Sequence, residues 1–99
     1  MAKAVEFGLF EWDEAKEQEN ILKHGVDFRT ASRAFLDEDR LIAEDEAHSA
    51  EEPRLFCIGL VDSKVITARF TYRKNKIRII GAGFWRKGKR FYEKEQKGR

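Results

Sequence analysis

Three runs in the second half of the chain leave little freedom in how it folds. They are RLFCIGLV (54–61), KVITARFTYR (64–73) and KIRIIGAGF (76–84), separated by two residues each, Asp62-Ser63 and Lys74-Asn75. A two-residue link joins antiparallel neighbours and cannot carry the long crossover that a parallel pair needs. The middle run alternates, with Val65, Thr67, Arg69, Thr71 and Arg73 on one face and Ile66, Ala68, Phe70 and Tyr72 on the other. In the third, Ile77, Ile79 and Gly81 oppose Arg78, Ile80 and Ala82. RLIAED (40–45) reads as a shorter strand, and EAHSAEEP (46–53), closed by the sole proline, as the loop that returns it. A four-stranded meander is the expectation.

The first half is helical in pattern. Asp13 is placed to cap a helix over 13–24, with Lys23 and His24 in its last turn and Gly25 just beyond. Ala15, Glu19 and Leu22 fall near one face of it, and Phe10 and Trp12, just before it, read as core. VDFRTASRAFLDED (26–39) gives a second helix, with Phe28, Ala31, Ala34 and Phe35 at helical spacing, Asp27 as its cap and Asp37-Glu38-Asp39 as its end. WRKGKRFYEKEQK (85–97) reads as a last helix, weakened by Gly88. The fold class predicted is α+β: two N-terminal helices packed on one face of a four-stranded, mainly antiparallel sheet, plus a C-terminal helix. At 99 residues, 1–99 forms one domain. No apolar run approaches the roughly 18 residues of a membrane span. The lone cysteine, Cys57, sits in an apolar run as buried filler, and one thiol with no secretory signal predicts a cytoplasmic protein.

Charge is divided along the chain. Residues 1–52 carry 15 acids and 6 bases, and residues 53–99 carry 3 acids and 14 bases. Residues 70–94 hold nine Lys and Arg with six aromatics and one acid. A basic half interleaved with rings suits a polyanion, although the two halves could instead attract each other within the fold. The acids at 37–39 and 44–46 read as solvated loops.

FEWDEAKEQENILKHGVDFRTASRAF (10–35), followed by HSAEEPR with Gly59 a few residues on, then TYR, IRII and a basic segment ending near Tyr92, resembles the BrnT toxins over residues 9–93. The resemblance implies a RelE-like ribonuclease fold. It also implies a type II toxin–antitoxin pair, with a BrnA-like DNA-binding antitoxin as partner in a hetero-oligomer and RNA as substrate. The last segment departs from the pattern: Gly81 stands for a Ser, Gly83 and Phe84 for two arginines, and Gly88 for a Glu. If those arginines hold the scissile phosphate in relatives, the chain is a weakened nuclease, or an inactive member that binds antitoxin or RNA.

RNA cleavage through the substrate's own 2′ oxygen needs a base, cations on the phosphorane, an acid for the leaving oxygen, and rings that stack the splayed bases. Arg54, Arg73 and Arg78, on adjacent expected strands, are the candidate phosphate clamp, because a guanidinium binds two oxygens at once. Three solubilising arginines on an exposed sheet face is the alternative. His48 is a candidate acid or base, or else orders its loop through Ser49 or a carboxylate. Glu52, beside Arg54, is a second candidate base or else an ordinary surface acid. Tyr92 is placed to protonate the leaving group or to stack, whereas Tyr72 reads as core. Arg86, Lys87, Lys89 and Arg90 on the last helix would steer RNA, and Trp85 either stacks on a base or anchors that helix. His24 reads as structural. No metal-ligand spacing and no phosphate-binding glycine loop is present, so no cofactor is expected.

Overall fold

The computed structural model describes residues 3–98. Its strands are β1 (Ala4–Phe7), β2 (Phe10–Asp13), β3 (Leu41–Glu44), β4 (Leu55–Val61), β5 (Lys64–Arg73) and β6 (Lys76–Gly83). Its helices are α1 (Glu14–His24), α2 (Phe28–Ser32), which runs on as a 3₁₀ turn over Arg33–Leu36, and α3 (Arg86–Lys97). The sheet order is β1-β2-β6-β5-β4-β3, and every pairing is antiparallel except β2 with β6.

The β3–β6 meander matches its sequence pattern, and both two-residue links turn through positive φ, at Asp62-Ser63 and Lys74-Asn75. The sheet nevertheless has six strands, not four, and is mixed. FEWD, whose Phe10 and Trp12 precede the expected helix, forms β2. It alternates Phe10 and Trp12 with Glu11 and Asp13, and it pairs with β1 through the Gly8 turn. The pairs Phe10↔Ile77 and Glu11↔Arg78 then add the hairpin to β6 in parallel. At four residues, each of these strands is too short to stand out by periodicity.

Asp13 ends β2 and caps α1, accepting the Ala15 and Lys16 amides, and Gly25 closes the helix at φ 70°. The face of α1 that carries Ala15, Glu19 and Leu22 is turned to solvent, and Leu22 is 88% exposed. What α1 buries is Asn20. β2 pairs with β6 only as far as Arg78, so the far end of that edge needs another partner. The Asn20 amide takes that place, donating to the Ala82 and Val26 carbonyls and accepting the Ala82 N–H. The second helix is shorter than 26–39: one α-turn capped by Asp27, then 3₁₀ geometry where Ala34 lies against β4.

Phe28, Ala31 and Ala34 pack with Cys57, Ile66, Ala68, Phe70 and Ile79 in the main core. By strand alternation, Ile58, Val65 and Thr67 face the other way, and there α3 covers them with Tyr92 and Gly88. The helices therefore lie on both faces of the sheet rather than on one. Tyr72, expected in the core, is 62% exposed beyond the last covering helix, edge-on to Phe70. The acidic and basic halves do meet: Arg78–Glu11 (2.8 Å), Lys76–Glu6, Arg69–Asp45 and Arg73–Glu52 (3.5 Å each) cross between them. Among the described residues, Arg86, Lys87, Lys89 and Arg90 form no ion pair, and no helix is long and apolar enough to cross a membrane.

Candidate functional site

Because α3 covers only part of its face, a cleft of about 570 Å³ remains between the first turn of α3, the β4–β5 surface and the segment after β3. Phe56 projects from β4 opposite Arg69 of β5. Trp85 and Phe91 approach from α3, with Lys87 between them in sequence. His48 and Asp45 close the remaining side. The lining is largely apolar, with a few converging polar groups, which is the usual composition of a ligand site.

The polar groups are ordered by the segment 45–54. The Asp45 amide donates to the Arg54 carbonyl (2.8 Å), and Ser49 Oγ donates to the Asp45 carbonyl (2.7 Å) and accepts the Arg54 amide (3.0 Å). Thr71 Oγ1 donates to the Pro53 carbonyl, which fastens the segment to β5. Asp45 is consequently held inside the protein, 5% exposed, although its run of three acids suggested a solvated loop. His48 Nδ1 lies 3.0 and 3.1 Å from its two carboxylate oxygens, and Arg69 Nε lies 3.5 Å from Oδ2. That Nε is buried and makes no hydrogen bond within the protein.

Trp85 is both wall and anchor. Its ring stands edge-on to His24 at the end of α1, centroids 5.3 Å apart, and lies over Gly83, where a Cβ would come within 2.7 Å of it. His24 thus ends α1 against the start of α3, in keeping with its structural reading. Trp85 and Arg69 also border a second recess of about 270 Å³ beside Lys16 and Lys23.

The structure divides the residues singled out from the sequence. His48, Trp85 and Lys87 line the cleft. Arg54, Arg73 and Arg78 lie outside it. Arg73 and Arg78 share one sheet face through the register Thr71↔Arg78 and Arg73↔Lys76. Arg54 and Arg73 converge on Glu52 at 3.9 and 3.5 Å, and Arg78 is tied to Glu11 of β2. Arg86, Lys89 and Arg90 are exposed along α3. Tyr92 is 6% exposed and donates its hydroxyl to Asp37 Oδ2 at 2.5 Å, so it pins α3 rather than opening to the cleft. Asp37 also accepts the Leu60 amide at 2.7 Å, so its acidic run is no freely solvated loop either. Burial alone would raise the Asp37 carboxyl, but the bonds from Tyr92 and the Leu60 and Asp39 amides outweigh it and hold it below the ordinary value of 3.8. Burial pushes the Cys57 thiol up to about 12.

Arg69 and Asp45 escaped the sequence reading. Arg69 interrupts the apolar stretch VITARF in mid-strand, and an arginine between small and apolar strand neighbours was the available signal. For Asp45 none existed, since Glu44, Asp45 and Glu46 are indistinguishable in composition. Among the described residues, no three His, Cys, Asp or Glu side chains form a metal-binding group.

No curated protein matches the chain. The family model described as the ribonuclease toxin BrnT of type II toxin–antitoxin systems matches residues 12–88, from the core tryptophan of β2 to the glycine that seats α3 on the sheet. With that match spanning more than three-quarters of its 99 residues, the chain belongs to the BrnT ribonuclease-toxin family.

Proposed function

We propose that this protein is the toxin of a type II pair, an endoribonuclease that cuts RNA in the cleft between β5 and α3 without a metal ion. A BrnA-like antitoxin would neutralise it in a cytoplasmic hetero-oligomer. The observation that carries the reading is the convergence of His48, Arg69 and Lys87 with the rings of Trp85, Phe56 and Phe91 in one cleft. It brings proton-transfer groups, fixed cations and stacking surfaces within reach of one nucleotide step.

In this mechanism a base lodges among the rings and the phosphate beside it meets Arg69. His48 takes the 2′-OH proton. The 2′ oxygen forms a bond to phosphorus, and the bond from phosphorus to the 5′ oxygen breaks. The Lys87 ammonium protonates the leaving oxygen, and water returns the proton from His48 to Lys87. Arg73 and Arg78 on one sheet face, Arg54 beside Arg73 at Glu52, and Arg86, Lys89 and Arg90 on α3 guide the flanking strand. DNA, having no 2′-OH, is not a substrate.

The test is incubation of purified protein with RNA in EDTA, with analysis of the product ends. The expected products carry 2′,3′-cyclic phosphate and 5′-hydroxyl ends, and His48→Ala reduces their rate by roughly 10² to 10⁴-fold. RNA that is bound but left intact would make the protein a binding module. Cleavage that begins only on adding Mg²⁺ would refute the acid–base mechanism.

A further inference from the structure

We propose that Asp45 is a positioning residue: its buried carboxylate fixes the His48 imidazole with the proton on Nδ1 and a bare Nε2, and holds Arg69 beside the same cleft. The catalytic consequence rests on the ribonuclease reading above, while the geometry stands apart from it.

An ionised carboxylate only accepts hydrogen bonds. His48 Nδ1 faces both oxygens of Asp45, at 3.0 and 3.1 Å, so a neutral imidazole in this place carries its hydrogen on Nδ1. Its Nε2 then has the free lone pair that a base needs. The same carboxylate stands 3.5 Å from Arg69 Nε, a buried group with no hydrogen-bond partner in the protein. Among the described residues, Asp45 is the one acid that pairs with Arg69. One anion therefore orients both the proton acceptor and the nearest cation.

The backbone of Asp45 is held at three points. Its amide bonds the Arg54 carbonyl, and its own carbonyl accepts the His48 amide (3.1 Å) and Ser49 Oγ. A charge this buried is costly unless its partners need it. The two acids beside it in sequence, Glu44 and Glu46, are exposed, so the loop could satisfy its turn with the charge outside. A short carboxylate turned inward onto a histidine and an arginine is the arrangement that fixes tautomer and orientation in a proton-transfer site.

The test reads the tautomer directly. Long-range ¹H–¹⁵N spectra of the wild-type protein near pH 8.5 distinguish the two neutral imidazole forms, and His48→Gln assigns the signals against His24. The expected result is the Nδ1–H form for His48. In Asp45→Asn that preference weakens, because an amide both donates and accepts. RNA cleavage then falls by roughly 10² to 10⁴-fold in kcat, with KM changed less than about threefold. Wild-type His48 in the Nε2–H form would overturn the inference without any variant. So would folded Asp45→Asn protein that cleaves at the wild-type kcat. Wild-type protein with the Nδ1–H form that cuts no RNA would support the positioning and remove the ribonuclease reading, which separates the two.

Discussion

Gly88 of α3 rests directly on Thr67 of β5: a Cβ built at position 88 would stand 2.1 Å from Thr67 Oγ1. The sequence suggested a helix weakened at this point. In the structure the missing side chain is what lets α3 lie on the sheet and form a wall of the cleft. In an exposed helix, Gly→Ala stabilises by up to about 1 kcal/mol. Here the collision outweighs that gain. Gly88→Ala should destabilise by about 1–3 kcal/mol, as overpacking does. Thr67→Ala in the same chain should restore part of the loss, since Oγ1 is the atom struck and it has no hydrogen-bond partner in the protein. Thermal melts of the two single variants and the double variant measure this. A higher midpoint for Gly88→Ala would show that the helix does not sit so close.

Tyr92 fastens the other end of the α3 contact through Asp37. Tyr92→Phe should cost about 1–2 kcal/mol, a fall of roughly 5–10 °C in thermal midpoint for a domain of this size. RNA cleavage measured well below the midpoint should stay within about twofold of wild type. A large loss of cleavage at full stability would return Tyr92 to the chemistry.

The same pair sets an acid limit. In the folded protein Asp37 titrates below its ordinary value of 3.8, as does Asp27, whose burial is outweighed by its bonds to Thr30. A depressed carboxylate contributes stability that is fully present above the unfolded value and is lost as pH falls through the folded one. Denaturation midpoints should therefore hold steady down to about pH 5 and drop below about pH 4. The gap between wild type and Tyr92→Phe should narrow over that drop, because the acceptor charge disappears. A gap that stays constant to about pH 2 would mean that the charge of Asp37 does not matter to the bond.

Legibility from sequence followed the range of the interaction. The β4–β6 meander was readable because alternation and two-residue turns are local, as were the Asp13 and Asp27 caps and the Gly25 stop. β1 and β2 were not, since four-residue strands carry little periodicity and the parallel β2–β6 pair joins residues 67 apart, Phe10 with Ile77 and Glu11 with Arg78. Asn20 was hidden for the same reason: it looks like a polar helix residue and acts as the partner of the Ala82 edge. Of the residues singled out for their chemistry, His48, Trp85 and Lys87 line the cleft. Arg73 and Arg78 share a face and Arg54 meets Arg73 at Glu52, yet register and α3 put the cleft around Arg69 instead, four residues back along β5 on the face of Arg73. Neither the pairing of strands nor the docking of a helix can be read from residue types alone.

Cys57 offers a check on the core that is independent of activity. It is fully buried, and its thiol is pushed up to about 12 from an ordinary 9.0. Its thiolate population near pH 8 is then roughly a thousandfold lower than that of a free thiol. Iodoacetamide should leave the native protein unlabelled over hours and label it rapidly in denaturant, as read by mass. Prompt native labelling would contradict the packing of β4 against the 3₁₀ turn.

The cations of α3 should act on binding more than on the chemical step, with Lys87 as the exception. Each of Arg86→Ala, Lys89→Ala and Arg90→Ala should weaken RNA binding and reduce the slope of log K against log salt by about 0.7. Their cleavage at saturating RNA should be near wild type. Lys87→Ala, which empties a position on the cleft wall, should also lower kcat. Equal effects of all four on kcat would show that Lys87 has no distinct part.

Arg69 and Arg73 provide the sharpest comparison, being on one strand and one face with different surroundings. Arg69 lines the cleft, with its Nε beside Asp45. Arg73 is half-exposed at the strand end, paired with Glu52. A cation positioned at the developing phosphorane is worth roughly 10² to 10³-fold in rate, whereas one that guides the flanking strand changes mainly affinity. Arg69→Ala should therefore reduce kcat by about that factor, and Arg73→Ala by less than about tenfold, with the larger effect on KM. Removing Arg69 also leaves Asp45 buried with one partner fewer, so its thermal midpoint should fall while that of Arg73→Ala stays close to wild type. Arg69→Lys separates the two effects: it restores a charge beside Asp45 without the planar fork, so stability should recover further than kcat does. If Arg73→Ala abolishes cleavage while Arg69→Ala spares it, the scissile phosphate lies at the Glu52 end of the sheet and the cleft holds only a neighbouring base.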